Sequence, residues 1–154
     1  MTIYSDPNSP PSVLRRLRAM AHASITSFDE LHQVTRQQAT LLGTLLAGPV
    51  QHIPDRVSAL IPSVRISYAE AIPLAGVTFW ARPHWHIHVR ASDPPHRRIA
   101  TVLHELKRII DHPVRRRLAT ISSEQWEALA VDFSEAVLAN VPKTILVQQK
   151  GEIS

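Results

Sequence analysis

The chain has 154 residues, 44% of them apolar, no cysteine, and a formal net charge of +4. That length suits one domain with a real core. The missing cysteines exclude disulfides, thiolate metal sites and a thiol nucleophile, so any metal ligand must be His, Asp or Glu. No run approaches the roughly 18 apolar residues that span a bilayer.

The opening "MTIYSDPNSPP" has neither the basic nor the apolar region of a secretory signal and reads as a Pro-rich leader over residues 1–11. A cytoplasmic protein is expected. "SVLRRLRAMAHA" predicts a short basic helix from Ser12. "SFDE" is a capping box with Ser27 as N-cap and Glu30 at N3, opening a helix with a leucine-rich face that Gly48-Pro49 stops. A brief turn of helix is expected from Pro54 to Leu60. The middle changes period. "VRISYAEAI", "GVTFWARP" and "HWHIHVRAS" are short, β-branched or aromatic, and predict a small antiparallel sheet of about three strands.

"SDPP" starts the next helix with proline in its first turn. Its apolar stripe is Ile99, Val102, Leu103, Leu106, Ile109 and Ile110, and Pro113 is expected to end it. Ser122 and Gln125 cap a last helix whose core face is Trp126, Leu129, Ala130, Phe133 and Val137. The order predicts an α+β domain over residues 12–142, with a tail over 143–154.

Three arginine-rich runs, "RRLR" at 15–18, "HRR" at 96–98 and "RRR" at 115–117, carry the positive charge. They can meet an acidic partner or nucleic acid, or be solvated helix ends. Direct nucleic-acid binding is not expected, because no helix-turn-helix pattern stands out and aromatic stacking surfaces are few.

The chemistry concentrates in "TVLHELKRIIDH", residues 101–112. His104-Glu105 opens the zinc-peptidase pattern HExxH, in which two histidines one turn apart grip the metal and the glutamate serves as base on its water. The second histidine is replaced by Arg108. Arginine offers no lone pair and repels a dication. His112 lies eight residues from His104, a rise of about 12 Å on an unbroken helix, whereas two nitrogens on one zinc lie within about 4 Å. It therefore cannot stand in, and reads as a favourable cation near the helix C-terminus. Helical spacing puts Thr101, His104, Glu105, Arg108 and His112 on the face opposite the apolar stripe. On the strand before, His84, His86 and His88 alternate onto one face. They read either as a wet face with Trp85, Ile87 and Val89 inward, or as a source of substitute zinc ligands, His86 and His88 foremost.

Across residues 64–142 the chain resembles the ImmA/IrrE-type metallopeptidases. The resemblance rests on Trp80, Trp85, Pro94, Arg97, Thr101, His104, Glu105 and the run Ile110 to Pro113. "EALAVDF" matches the family's pattern of Glu, two residues, Ala, two residues, Phe. The resemblance implies a zincin-like fold, zinc as cofactor, Glu105 as catalytic base, His104 and Glu127 as metal ligands, and Arg97 and Thr101 as supporting residues. It also implies action on a repressor-type transcriptional regulator in a mobile-element or stress response. Departures accompany it: Arg108 replaces a ligand, Arg90 replaces a strand-ending Asn, and Ala100 replaces an aromatic. The alternative is an inactive pseudo-peptidase that binds a regulator, with Arg108 paired to Glu105 and Glu127 in place of the metal charge.

Overall fold

A computed structural model describes residues 12–142; the expected leader and tail lie outside the described residues. The elements are α1 (Val13–Ala19), α2 (Phe28–Leu45), a 3₁₀ turn (Val50–His52) running into α3 (Ile53–Leu60), β1 (Val64–Ala69), β2 (Gly76–Ala81), β3 (His84–Arg90), α4 (Pro95–Arg117) and α5 (Ser123–Asn140). The class is α+β. Both capping boxes form: Ser27 and Glu30 close the start of α2, and Ser122 and Gln125 that of α5. Gly48 follows α2 with φ 131°, a left-handed backbone that glycine adopts without a Cβ penalty.

The three expected strands form, but the sheet is mixed. Its order is β1-β3-β2, with β3 parallel to β1 and antiparallel to β2. Residues 70–75 carry the chain past one strand position, roughly 10 Å for two strand spacings, so β3 returns into the gap. Alternation along a strand fixes which side chains share a face, not which neighbour the strand pairs with.

Helix α4 lies across one face of the sheet and α5 packs along α4. All six residues of the expected stripe on α4 are buried, as are all five of the core face on α5. The α4 stripe, with Phe133 and Val137 of α5, joins Leu14, Leu17, Ala39, Leu42 and Ile53 and Ile87 and Val89 of β3 in the main core. A smaller cluster around Leu31, Val114, Leu118 and Trp126 closes the far end.

Pro113 does not end α4, which continues to Arg117. Proline at 113 strips the Ile109 carbonyl of its helical donor. Arg18 of α1 supplies one instead, with Nη2 2.6 Å from that oxygen. Two of the three arginine-rich runs thus make contacts inside the molecule. Arg117 donates to the carbonyls of His22, Ala23 and Ile25, and the Arg115 guanidinium lies 5.9 Å from the Trp126 ring centre.

Three buried polar residues also tie α4 to α2. Lys107, 1% exposed, donates to Asp111 Oδ1 at 2.6 Å and to Gln38 Oε1 of α2 at 2.7 Å. Burial pushes the Lys107 ammonium below its ordinary pKa and the Asp111 carboxyl above its own, while each partner opposes the other's shift. No helix among the described residues is long and apolar enough to cross a membrane.

Candidate functional site

The start of β2, the outer side of α4 and the first half of α5 enclose an open cleft of about 400 Å³. Gly76 makes the close approach possible. A Cβ there would sit 2.5 Å from Thr101 Cγ2 and 3.1 Å from Glu105 Cγ, so any larger residue would push β2 off α4. Arg97, Thr101, His104, Glu105, Arg108 and Glu127 all line this cleft. Residues up to thirty positions apart in sequence, on two helices, are therefore brought together.

Their geometry is specific. His104 Nε2 lies 2.8 Å from Glu127 Oε1 and 3.9 Å from Glu105 Oε2. Arg108 reaches across the same space, with Nη2 2.6 Å from Glu127 Oε2 and Nε 3.2 Å from Glu105 Oε2. Thr78 of β2 donates to the remaining Glu105 oxygen at 3.0 Å. One guanidinium thus bridges two carboxylates, and Glu127 is held between Arg108 and His104.

The two carboxylates differ in environment. Glu105 is 5% exposed, whereas the side chains of Arg108 and Glu127 are 42% and 48% exposed. A buried carboxylate without a cation and hydrogen bonds would cost several kcal/mol. An exposed pair such as Arg108–Glu127 contributes about 0.2–1 kcal/mol. Arg108 is therefore needed by Glu105, while its hold on Glu127 opens cheaply. The expected wet face of α4 divides accordingly: Thr101 and Glu105 are buried against β2, and only Arg108 and His112 are exposed. The sheet covers part of the face that lies opposite the apolar stripe.

The donor set does not fit a catalytic zinc, which wants three protein ligands and an open position. His104 and Glu127 offer two. The place of the second histidine carries a permanent cation with no lone pair, already 2.6 Å from a Glu127 oxygen. Among the described residues no three His, Asp or Glu side chains converge to hold an ion.

No family model, curated protein or solved structure matches the chain.

His86 and His88 cannot complete the site. In the β2–β3 register Thr78 pairs with Ile87, and both face α4; His86 and His88 flank Ile87 and point to the opposite side of the sheet. There they pack against Phe79, as the wet-face reading expects.

His112 is also reassigned. The helix runs past it to Arg117, so it is not a C-terminal cation. Its ring sits 5.0 Å from that of Trp85, and desolvation, then Arg116 and Arg18, lower its pKa from the ordinary histidine value.

Sequence reasoning missed Thr78, which holds Glu105, and Ser134, which lines the cleft and donates to the Ala100 carbonyl at 3.1 Å. Neither residue type at its position carries a local signal. The strand register and the docking of α5 on α4 place them.

Proposed function

We propose that the chain is a peptidase-derived domain of the ImmA/IrrE type that binds a repressor-type transcriptional regulator without hydrolysing it. Arg108 supplies the positive charge that a metal would otherwise bring to Glu105 and Glu127. The observation that carries this reading is the Arg108 bridge, 3.2 Å to the buried Glu105 and 2.6 Å to Glu127. A base that must take a proton from water needs a free carboxylate oxygen, and both oxygens of Glu105 are engaged, one by Arg108 Nε at 3.2 Å and the other by Thr78 at 3.0 Å. The cleft remains open, with Leu74 (60% exposed) and Val131 (41% exposed) along its walls, apolar groups that a partner segment can cover. Such a protein would meet its regulator in the cytoplasm.

A second reading keeps an active zinc peptidase, with His104 and Glu127 as ligands and Glu105 as base. It is favoured by the 2.8 Å contact that sets His104 Nε2 beside Glu127 Oε1. Elemental analysis of protein purified without chelators separates the two. The first reading expects no zinc that depends on His104. Stoichiometric zinc lost on His104→Ala or Glu127→Gln, together with peptide hydrolysis abolished by Glu105→Gln, would overturn it.

A further inference from the structure

The sheet has a second chemical face. Strand β3 turns Ile87 and Val89 into the core, so His84, His86 and His88 all emerge on the side away from α4, each partly exposed. Their neighbours there are Arg65 and Ser67 of β1 and Phe79 of β2, all exposed. Successive imidazole rings stand 6.3 Å apart, centre to centre.

The three rings are not equivalent. Arg65 Nη2 donates to His84 Nε2 at 3.3 Å, which occupies that lone pair and leaves a guanidinium beside the ring. The rings of His86 and His88 make no hydrogen bond to protein among the described residues. Their orientation comes from Phe79, which lies flat on His86 (5.1 Å, 9°) and meets His88 edge-on (4.9 Å, 77°). Packing against one aromatic ring reduces the rotamer freedom that ligation must freeze, while leaving the ring nitrogens unpartnered.

From this geometry we propose that His86 and His88 form a two-imidazole site for a borderline divalent transition metal, of the zinc, nickel or copper class, on the open face of the sheet. Two imidazoles on one tetrahedral zinc have ring centres roughly 5 Å apart, given metal–nitrogen bonds near 2.1 Å. The rings stand 6.3 Å apart, so binding requires one side chain to turn and draw them about 1 Å closer. Water fills the remaining positions. Imidazole is a nitrogen ligand, which selects this class over calcium or magnesium with their preference for oxygen. The site lies on the opposite face of the sheet from the cleft, so it stands independently of what Arg108 does to Glu105 and Glu127.

Zinc chloride titrated into the metal-stripped full chain tests this, followed by calorimetry and by ¹H–¹⁵N correlation spectra of the histidine rings. The expected result is one equivalent bound, with ring shifts confined to His86 and His88. His88→Ala and, separately, His86→Ala should weaken binding at least about tenfold by removing one of two ligands, while His104→Ala leaves it unchanged. Wild-type affinity in either strand variant, shifts centred on His104, or no binding overturns the proposal. If a variant loses its fold, the ring spectra of the unaltered protein decide alone.

Discussion

The Arg18 guanidinium occupies the Ile109 carbonyl, 2.6 Å away, that Pro113 leaves without a helical donor. One side chain from α1 therefore keeps α4 helical through its proline and ties the first helix to the longest. Replacing Arg18 by Met should destabilise the fold by about 1.5–3 kcal/mol, the range for a hydrogen bond to a charged group lost at a buried acceptor. Pro113→Ala restores an N–H to that acceptor, so it should recover part of the loss when combined with Arg18→Met. Urea unfolding of the two single variants and the double variant reads the coupling; strict additivity would show that the two residues act separately.

Restoring Arg108→His should create zinc affinity. The variant removes the cation and places a nitrogen one turn from His104, which with Glu127 makes the three-ligand set. Zinc titration of the variant, with Arg108→His/Glu127→Gln as control, measures it. The control should lose the gain, and equal binding by both would mean that the metal sits elsewhere.

Glu105 depends on its cation more than Glu127 does. Arg108→Ala should cost about 1–3 kcal/mol at neutral pH, since it leaves a carboxylate that is 5% exposed with Thr78 as its remaining donor. Glu105→Gln in that background should return much of it, whereas Glu127→Gln should change stability by under about 1 kcal/mol. Chemical denaturation of the four proteins orders these effects.

The Lys107–Asp111 pair should show the asymmetry of buried ions. Lys107→Met alone strands Asp111, which is 4% exposed, and is expected to cost about 3–5 kcal/mol. Lys107→Met with Asp111→Leu should lie closer to the parent, because neither charge remains to be desolvated. Thermal unfolding distinguishes the outcomes; a double variant as weak as the single would assign the loss to Gln38 Oε1, left without its donor, and to the Phe133 ring that lies 5.9 Å from the Lys107 ammonium.

His112 gives the fold an acid-side sensitivity. Its folded-state pKa is depressed, by desolvation first and then by Arg116 and Arg18, so the neutral ring is the form that folding favours. A depressed value means that this contribution is complete above the unfolded-state pKa of about 6.5 and is lost as pH falls through the folded value. Stability should therefore decline below about pH 6.5, and His112→Gln should remove that part of the slope. Proton NMR of the ring should place its titration below the ordinary histidine range.

The order of residues settles whatever is written in local chemistry and period. Ser27 with Glu30 and Ser122 with Gln125 announce helix starts because capping is a contact over three residues. The stripes of α4 and α5 and the inward Ile87 and Val89 follow from periods of 3.6 and 2. It also ruled out His112 as a ligand, since helical rise is fixed. Three features had to wait for the tertiary structure, because each depends on a contact across the fold. Pro113 reads locally as a stop, and only Arg18, ninety-one residues from Ile109, supplies what continuation needs. Alternation made His86 and His88 look like spare ligands, and only the pairing of Thr78 with Ile87, under Glu105, shows which side of the sheet they occupy. "HELKR" marks Arg108 as the wrong residue for a metal, but its partners are chosen by the packing of α5 on α4. Spacing along a chain sets direction; docking sets who is met there.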